Sequence, residues 1–148
     1  MKKMTLRERA INLLARREHS RVELARKLTR HAEEGDDIEG LLDDLVRRKL
    51  LSDERYAEAR SHTLARKYGA ARIAHDLRQQ GVDDALVQRV TQEVRQSEVE
   101  RAREAWRKRF GTLPESAQER GRQMRFLLAR GFAGEAIRVV LRGRADED

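Results

Sequence analysis

Residues 72–90 read RIAHDLRQQGVDDALVQRV, and fifty positions later residues 122–140 read RQMRFLLARGFAGEAIRVV. The first third of the chain joins this pattern at an offset of 49. The matching residues are Arg72/Arg122, Leu77/Leu127, Gly81/Gly131, Val82/Phe132, Val87/Ile137 and Val90/Val140, and then Ser20/Gly69, Leu24/Ile73 and Leu28/Leu77. A small helical unit buries little apolar surface alone, so units that repeat at such a period stack on their neighbours. The sequence therefore predicts three tandem repeats.

Helix start signals recur along the chain. The pattern Ser/Thr-x-x-Glu, whose two side chains cap the first turn of a helix, precedes apolar residues at helical spacing. It stands at Thr5–Glu8, Ser20–Glu23, Ser97–Glu100 and Ser116–Glu119. Four glycines end periodic segments, and we expect the left-handed backbone of a helix C-terminus at Gly69, Gly81, Gly111 and Gly131. No segment alternates apolar and polar residues as a strand does, so the prediction is an all-α fold.

The architecture follows from the repeat and the composition. Only 4% of the residues are aromatic and 39% are hydrophobic, many of them alanine, so the chain cannot build one thick core. We expect an elongated array of three tandem three-helix repeats. The first repeat is placed at residues 5–51, the second at 52–96 and the third at 97–144, followed by an acidic tail at 145–148.

Several classes of chemistry are excluded by what the sequence lacks. Without cysteine there is no disulfide, no thiolate zinc site, no iron–sulfur cluster and no cysteine nucleophile. Neither glycine-rich phosphate-binding pattern is present, and none of the four histidines has a histidine partner four residues on. His19 precedes a helix cap and is interpreted as a structural histidine. We predict a protein without enzymatic activity, cofactor or bound metal.

The sequence also bears on location. No run of 18 apolar residues exists, so no segment is long enough to span a membrane as a helix. Charged residues resume at Arg7, and the basic start therefore lacks the apolar stretch of a signal peptide. We expect a cytoplasmic monomer that does not interact with membranes.

The charge is large and uneven. Charged residues make up 40% of the chain, and the net charge is +7. Residues 1–30 carry +7 and residues 101–148 carry +5, whereas residues 31–60 carry −5. One interpretation is a basic band that binds a polyanion or an acidic protein groove, and the other is an ordinary solvated surface. The candidate binding residues are Arg16, Arg17, Arg21, Arg26, Lys27, Arg66, Lys67, Arg72, Arg78, Lys108, Arg109, Arg122, Arg125 and Arg130.

Four motifs occur in a characteristic order. They are Arg17-Glu18-His19-Ser20 with Glu23-Leu24 and Lys27-Leu28; Gly69 with Arg72-Ile73, Asp76-Leu77 and Gly81; Lys108-Arg109-Phe110-Gly111; and the stretch from Arg125 through Phe126-Leu127-Leu128-Ala129-Arg130 to Gly131-Phe132. Together they resemble the RecX family, the bacterial regulators of the RecA recombinase. The resemblance extends from about Leu13 to Leu141, nearly the whole chain.

The resemblance implies both a fold and a function. It implies a modular array of three three-helix repeats that binds RecA within the groove of the RecA–DNA filament. It further implies suppression of the RecA ATPase, strand-exchange and coprotease activities, and thereby a role in DNA recombination, DNA repair and the SOS response.

A second hypothesis is direct DNA binding through units that resemble a helix-turn-helix, since each repeat has a short helix followed by a turn. A recognition helix presents Asn, Gln or Arg to the bases. Gln88, Arg89 and Gln92 fit this role in the second repeat, whereas Arg138 is almost alone in the third. The rings of Tyr68, Trp106, Phe110, Phe126 and Phe132 are spaced like core residues, which argues against a base-stacking surface. Filament binding is therefore favoured, with weak contact to single- or double-stranded DNA as an additional expectation.

Overall fold

The computed structural model describes residues 3–143, which form nine α-helices and no β-strand. The helices are α1 (Leu6–Arg16), α2 (Arg21–Thr29), α3 (Ile38–Arg47), α4 (Asp53–Leu64), α5 (Ala70–Gln79), α6 (Asp84–Gln96), α7 (Glu98–Arg109), α8 (Ala117–Ala129) and α9 (Gly134–Arg142). None of the helices in this range is both long and apolar enough to cross a membrane. The acidic tail predicted at 145–148 lies outside the described residues. The predicted all-α fold is confirmed.

Capping side chains set most of the helix starts. The hydroxyls of Thr5, Ser20 and Ser116 accept hydrogen bonds from the backbone amides three residues later, at 3.1, 3.0 and 3.0 Å. The predicted capping box at Ser97 is wrong. Only this residue separates α6 from α7, and its hydroxyl donates to the carbonyl oxygen of Val94 at the end of α6 (3.2 Å) instead of capping α7.

The helices pack in threes, and each group has its own core. Unit 1 comprises α1–α3, unit 2 comprises α4–α6 and unit 3 comprises α7–α9. Leu28, Leu77 and Leu127, which the repeat aligns, each have no exposed surface. The buried cores contain Ala10, Leu24, Leu28, Leu42, Leu45 and Leu51 in unit 1; Tyr56, Ala57, Ile73, Ala74, Leu77, Val82, Val87 and Val90 in unit 2; and Ala102, Leu127, Phe132, Ile137, Val140 and Leu141 in unit 3. The prediction of three three-helix units is confirmed.

Units 1 and 2 meet where the start of α2 packs against the end of α5. Ser20 Oγ donates a hydrogen bond to the carbonyl oxygen of Gln80 at 2.7 Å. One turn further along α2, Arg26 Nη2 donates to the carbonyl oxygen of Gln79 at 3.2 Å. We call this contact region the first joint.

Units 2 and 3 meet in the same way, where the start of α5 packs against the end of α8. The Gly69 amide donates to the carbonyl oxygen of Arg130 at 2.8 Å, and Arg72 Nη1 donates to that of Ala129 at 3.0 Å. The acceptors Ala129 and Arg130 stand fifty positions after the acceptors of the first joint. This second joint therefore repeats the first, and both link the units head to tail.

The prediction that Gly69 ends a helix is wrong. Helix α4 ends at Leu64, and Gly69 is the N-cap of α5 with a φ of −83°. Glycine is required there by close packing, because a Cβ atom would lie 2.3 Å from the carbonyl oxygen of Gly131 across the second joint. The predicted left-handed φ is confirmed at Gly81 (75°), Gly111 (73°) and Gly131 (87°).

Gly131→Ala is expected to lower the free energy of unfolding by about 3 kcal/mol, combining about 1–2 kcal/mol for the left-handed backbone with a similar cost of overpacking. A Cβ at Gly131 would lie 2.4 Å from the Cβ of Arg72 and 2.7 Å from its backbone nitrogen. Gly35→Ala is the matched control, since Gly35 has a φ of +92° and nothing within 4 Å of the added atom. Chemical denaturation of both variants gives the comparison. Equal losses would show that the second joint tolerates a methyl group.

The molecule exposes much surface for its mass. Its accessible area is 9904 Å², whereas a compact monomer of 17.2 kDa has about 7800 Å². This excess is expected for an array with three thin cores. Small-angle scattering should accordingly give a radius of gyration above the roughly 15 Å of a compact globule of this length. A value of 15 Å or less would contradict the elongated arrangement.

Candidate partner-binding surface

Arginine and aromatic side chains alternate across the second joint. Tyr68 lies in the connection before α5, Phe110 caps the end of α7, and Phe126 lies on α8. Each ring has at least two guanidinium groups within 6 Å of its centre. The resulting sequence of contacts runs Arg72–Tyr68 (4.4 Å), Tyr68–Arg130 (5.8 Å), Arg130–Phe126 (4.9 Å), Phe126–Arg109 (5.8 Å), Arg109–Phe110 (5.5 Å) and Phe110–Arg122 (5.2 Å). We call these seven residues the arginine–aromatic ladder.

The ladder orients four arginines, of which Arg122 alone has an ion-pair partner, Glu119, among the described residues. A guanidinium over a ring face gains about 0.5–1 kcal/mol at an exposed site and gives up rotamer freedom. The planar N–H edge remains suited to bind a carboxylate or a phosphate. Arg109 has no ion-pair partner within residues 3–143, so the rings alone hold its head group. An anionic partner would bind arginines that are already ordered, so less conformational entropy would be lost on binding.

Four of the five aromatic rings lie in or against the core of a unit, as their spacing predicted, and Phe110 packs edge-to-face on one of them, Phe126. Phe132 is a core residue with 3% of its surface exposed, and Trp106 packs against the same core while its Nε1 donates to Gln123 Oε1 at 2.8 Å. Tyr68, Phe110 and Phe126 are half-buried and lie beneath arginines. Arg130 of unit 3 reaches the ring of Tyr68 in unit 2, a contact that sequence spacing within one helix could not indicate.

Several other candidate residues form ion pairs inside their own unit. Arg17 Nη2 lies 2.6 Å from Glu23, and Arg122 lies 3.2 Å from Glu119. The hydrogen bonds from Arg122 lower the pKa of Glu119. Exposed pairs of this kind contribute little free energy, and the arginines stay available for exchange with a partner's anion. The remaining pairs are Arg21 with Glu39 and Asp43, Lys27 with Glu23, Arg78 with Asp84, and Lys108 with Glu104.

Lys27 lies beside the buried histidine of unit 1. The ring of His19 is 1% exposed and its Nδ1 lies 3.1 Å from the carbonyl oxygen of Arg17, while its Nε2 lies 3.0 Å from Lys27 Nζ. These partners suit a neutral ring that donates from Nδ1 and accepts at Nε2. Burial lowers the pKa of His19, so the neutral form is favoured. The structural role predicted for His19 is consistent with this environment.

Three candidate arginines hold the joints together. Arg26 bonds across the first joint and Arg72 across the second, as described above. Arg130 Nη1 donates to the carbonyl oxygen of Lys67 at 3.2 Å, again across the second joint. Their guanidinium groups are therefore partly committed to the fold. In contrast, the exposed candidates Arg16, Arg66, Lys67 and Arg125 have no side-chain hydrogen bond or ion pair within the described range.

Sequence reasoning missed a buried hydrogen-bond acceptor of the second joint. Glu98, the first residue of α7, is 6% exposed. Its Oε1 accepts from the Ala70 amide at 2.7 Å and its Oε2 accepts from the Ala133 amide at 3.0 Å. Ala70 is the first residue of α5, and Ala133 is itself the N-cap of α9; neither N-cap residue, Gly69 or Ala133, has a capping oxygen in its side chain. The missing caps were the sequence signal that another residue must supply the acceptor.

Asp53 plays the matching part in the first joint. It is the first residue of α4, and its Oδ1 accepts from the Arg21 amide at the start of α2, at 2.7 Å. Arg101 was also missed as a structural residue. It donates from unit 3 to the carbonyl oxygens of Ala65 and Tyr68 in unit 2, and burial lowers its pKa. An acidic side chain at the start of each following unit thus fixes the middle helix of the preceding unit.

The described residues contain no group of three or more His, Cys, Asp or Glu side chains that could hold a metal ion. The site therefore offers hydrogen-bond donors and positive charge, arranged over three linked units.

The chain matches known proteins over nearly its full length. The first, second and third three-helix domains of RecX match residues 7–45, 52–97 and 96–141. The regulatory protein RecX of Leptothrix cholodnii is 46% identical over 139 residues, covering 94% of this chain and 88% of that protein. That of Herminiimonas arsenicoxydans is 41% identical over 145 residues, covering 98% and 96%.

A solved structure has the same fold. The crystal structure of RecX from Lactobacillus salivarius superimposes with a TM-score of 0.75 over 93% of this chain and 92% of that chain, at 22% identity. The fold, the order of the three domains and the identity to curated relatives agree, and the chain belongs to the RecX family.

Proposed function

We propose that this chain is a non-catalytic regulator that binds the RecA–DNA filament and mainly inhibits the ATPase, strand-exchange and coprotease activities of RecA. Membership of the RecX family points to RecA as the partner. The observation that supports the mode of binding is the pair of equivalent joints, which link the three units and their basic groups head to tail. The chain would act as a cytoplasmic monomer, with repeats at 5–51, 52–96 and 97–144.

The array suits a partner that repeats along an axis. A filament groove presents equivalent surfaces of successive RecA protomers and, beneath them, DNA phosphates. Each unit contributes one set of cations, so binding of one unit raises the effective concentration of the next. Each exposed contact is worth only about 0.2–1 kcal/mol, and affinity therefore depends on several units acting together. We infer that occupancy of the groove, rather than chemistry at one residue, inhibits RecA.

The RecA ATPase on single-stranded DNA tests the proposal. Titration of the wild-type chain should lower the steady-state rate of ATP hydrolysis in a saturable manner. The midpoint should move to higher protein concentration as salt is raised, because screening weakens the basic contacts. A rate that stays unchanged at saturating protein would refute the regulatory proposal.

Direct DNA binding is the second candidate, and the ladder favours it because arginines over aromatic rings also suit nucleic acid. The helix-turn-helix form of this idea is less supported. Arg89 on α6 is exposed and its pair with Glu54 (3.3 Å) is exchangeable, but Arg138 is almost alone on the corresponding helix of unit 3. A salt-resolved titration against DNA, with and without RecA filament, separates the two candidates. Equal affinity for bare and RecA-coated DNA would favour the DNA-binding protein.

A further inference from the structure

Lys49 has an unusual backbone conformation. Its φ is 63°, and it is the only residue other than glycine with a positive φ within residues 3–143. It follows Arg48, the C-cap of α3, and so occupies the position where glycine is the usual residue. A side chain there costs conformational energy that glycine would avoid. Such strain persists only where the surrounding structure holds it, and it is concentrated at functional sites.

Two sets of contacts hold this turn in place. The amides of Lys49 and Leu50 donate to carbonyl oxygens of α3, each at 2.9 Å. Arg55 Nη2 donates to the carbonyl oxygen of Lys49 at 2.8 Å, while its Nε bonds to Glu18 in unit 1 at 2.9 Å. Arg55, which also bonds to unit 1, therefore holds the backbone of Lys49 in place.

The turn borders a cavity of about 440 Å³ beside the first joint. Its charged lining comes from Arg21, Lys49, Arg55 and Asp53, whose carboxylate accepts from the Arg21 amide, and its apolar lining from Val46 and Leu51. Arg21 and Arg55 are paired with acids of unit 1, whereas Lys49 has no ion-pair partner among the described residues.

Exposed aliphatic groups extend the apolar lining at the surface. Val46 and Leu50 are each 44% exposed and lie three residues before and one residue after Lys49. No aromatic ring lines the cavity, so the surface lacks the platform on which nucleic-acid bases stack. An uncompensated cation beside aliphatic side chains is complementary to a carboxylate beside an aliphatic side chain.

We propose that Val46, Lys49 and Leu50 form a docking surface for an acidic segment of the partner protein, in which a carboxylate pairs with Lys49 and a neighbouring aliphatic side chain packs on Val46 and Leu50. The inference rests on the proposed function, since the partner protein is then the RecA filament itself. The strained conformation is retained because glycine would remove the cation. This surface lies in unit 1, away from the ladder at the second joint.

The test separates binding from stability. Lys49→Gly relieves the backbone strain and removes the cation, so its melting temperature should equal or exceed that of the wild type while its affinity for RecA–single-stranded DNA filaments falls about fivefold. Lys49→Glu should bind more weakly still, and Leu50→Ser should also lose affinity because it removes the aliphatic contact. Arg142→Glu is the control for net charge, since Arg142 is exposed at the end of α9 in unit 3 and should bind within twofold of the wild type.

Each contrary result has a distinct meaning. Wild-type affinity for the filament in both Lys49 variants would overturn the docking surface while leaving the proposed function intact. An equal loss of filament affinity in Arg142→Glu would assign the effect to net charge and would also overturn the docking surface. If Lys49→Glu weakens binding to bare oligonucleotide and Leu50→Ser leaves filament binding unchanged, the surface contacts DNA and not an acidic protein segment. Failure of the wild-type chain to bind filaments would refute the proposed function together with this inference.

Discussion

Glu98→Ala is expected to lower the free energy of unfolding by about 4 kcal/mol. The substitution leaves the amides of Ala70 and Ala133 without their acceptor in a buried site, and each unsatisfied group costs about 1–3 kcal/mol. Both amides lie at helix N-termini, where a carboxylate is also favoured by the helix dipole. Since domains of this size are stable by only about 5–15 kcal/mol, the loss is a large fraction of the total. Urea denaturation followed by circular dichroism measures it.

Two variants sharpen this prediction. Glu98→Gln keeps the shape and one carbonyl oxygen but turns an NH₂ group towards the second amide. It should therefore lower the free energy of unfolding by about half as much as Glu98→Ala. Glu104→Ala on the same helix removes an exposed carboxylate that pairs with Arg107, and it should change stability by less than about 1 kcal/mol. If Glu98→Ala lowered the free energy of unfolding as little as Glu104→Ala, water would be replacing the carboxylate, and the stability of the second joint would not depend on Glu98.

The combined variant Arg16→Glu, Arg66→Glu and Arg125→Glu is expected to raise the midpoint for inhibition of the RecA ATPase more than tenfold. These arginines are exposed, come one from each unit, and have no side-chain hydrogen bond or ion pair within the described part of the chain. Three contacts of about 0.2–1 kcal/mol, each reversed in sign, together give about 1.2–6 kcal/mol, and most of this range exceeds the roughly 1.4 kcal/mol of a tenfold change. Arg125→Ala alone should shift the midpoint only slightly. Higher salt should reduce the loss, because screening already removes part of the attraction.

The choice of residues avoids a structural artefact. Arg26 and Arg72 are equally basic in sequence, but their replacement would also break hydrogen bonds across the joints. A triple reversal at Arg30, Arg95 and Arg142, which are exposed, come one from each unit and lie outside the predicted set, changes the net charge by the same amount and serves as the control. Equal inhibition by a folded test variant and the wild type at low salt would show that these three arginines are only a solvated surface.

The family, the fold class and the repeat could be predicted from sequence because each depends on patterns that are local or periodic. A capping hydroxyl such as Ser20 acts on an amide three residues away, and the apolar spacing of Leu24 and Leu28 defines one face of one helix. At Ser97 the local signal was misleading, because this residue also ends α6 and has a φ of −106° and a ψ of 12°, outside the extended region that a capping residue normally adopts.

The candidate site could be predicted only as a set of residue types. Basic side chains such as Arg16, Arg72 and Arg109 cannot be told apart in sequence. In the structure Arg16 lies at the surface without a bonding partner among the described residues, Arg72 bonds across the second joint, and Arg109 lies over two aromatic rings. Their separate roles depend on which groups the neighbouring unit brings near them. That the arginines bind a partner stays a prediction.

What the sequence alone determined was the content of each unit: nine helices, three small cores, the glycine turns at Gly81 and Gly131, and the excess of positive charge. Only the tertiary structure decided how the units are joined. The carboxylate of Glu98 accepts hydrogen bonds from amides 28 residues before it and 35 residues after it, at the starts of two other helices. It also decided that Gly69 is needed for close packing and that the ladder forms across the second joint. The physical reason is distance along the chain. Periodicity and capping act within a few residues, whereas buried carboxylates, packed glycines and stacked arginines depend on groups that come together only when one unit docks on the next.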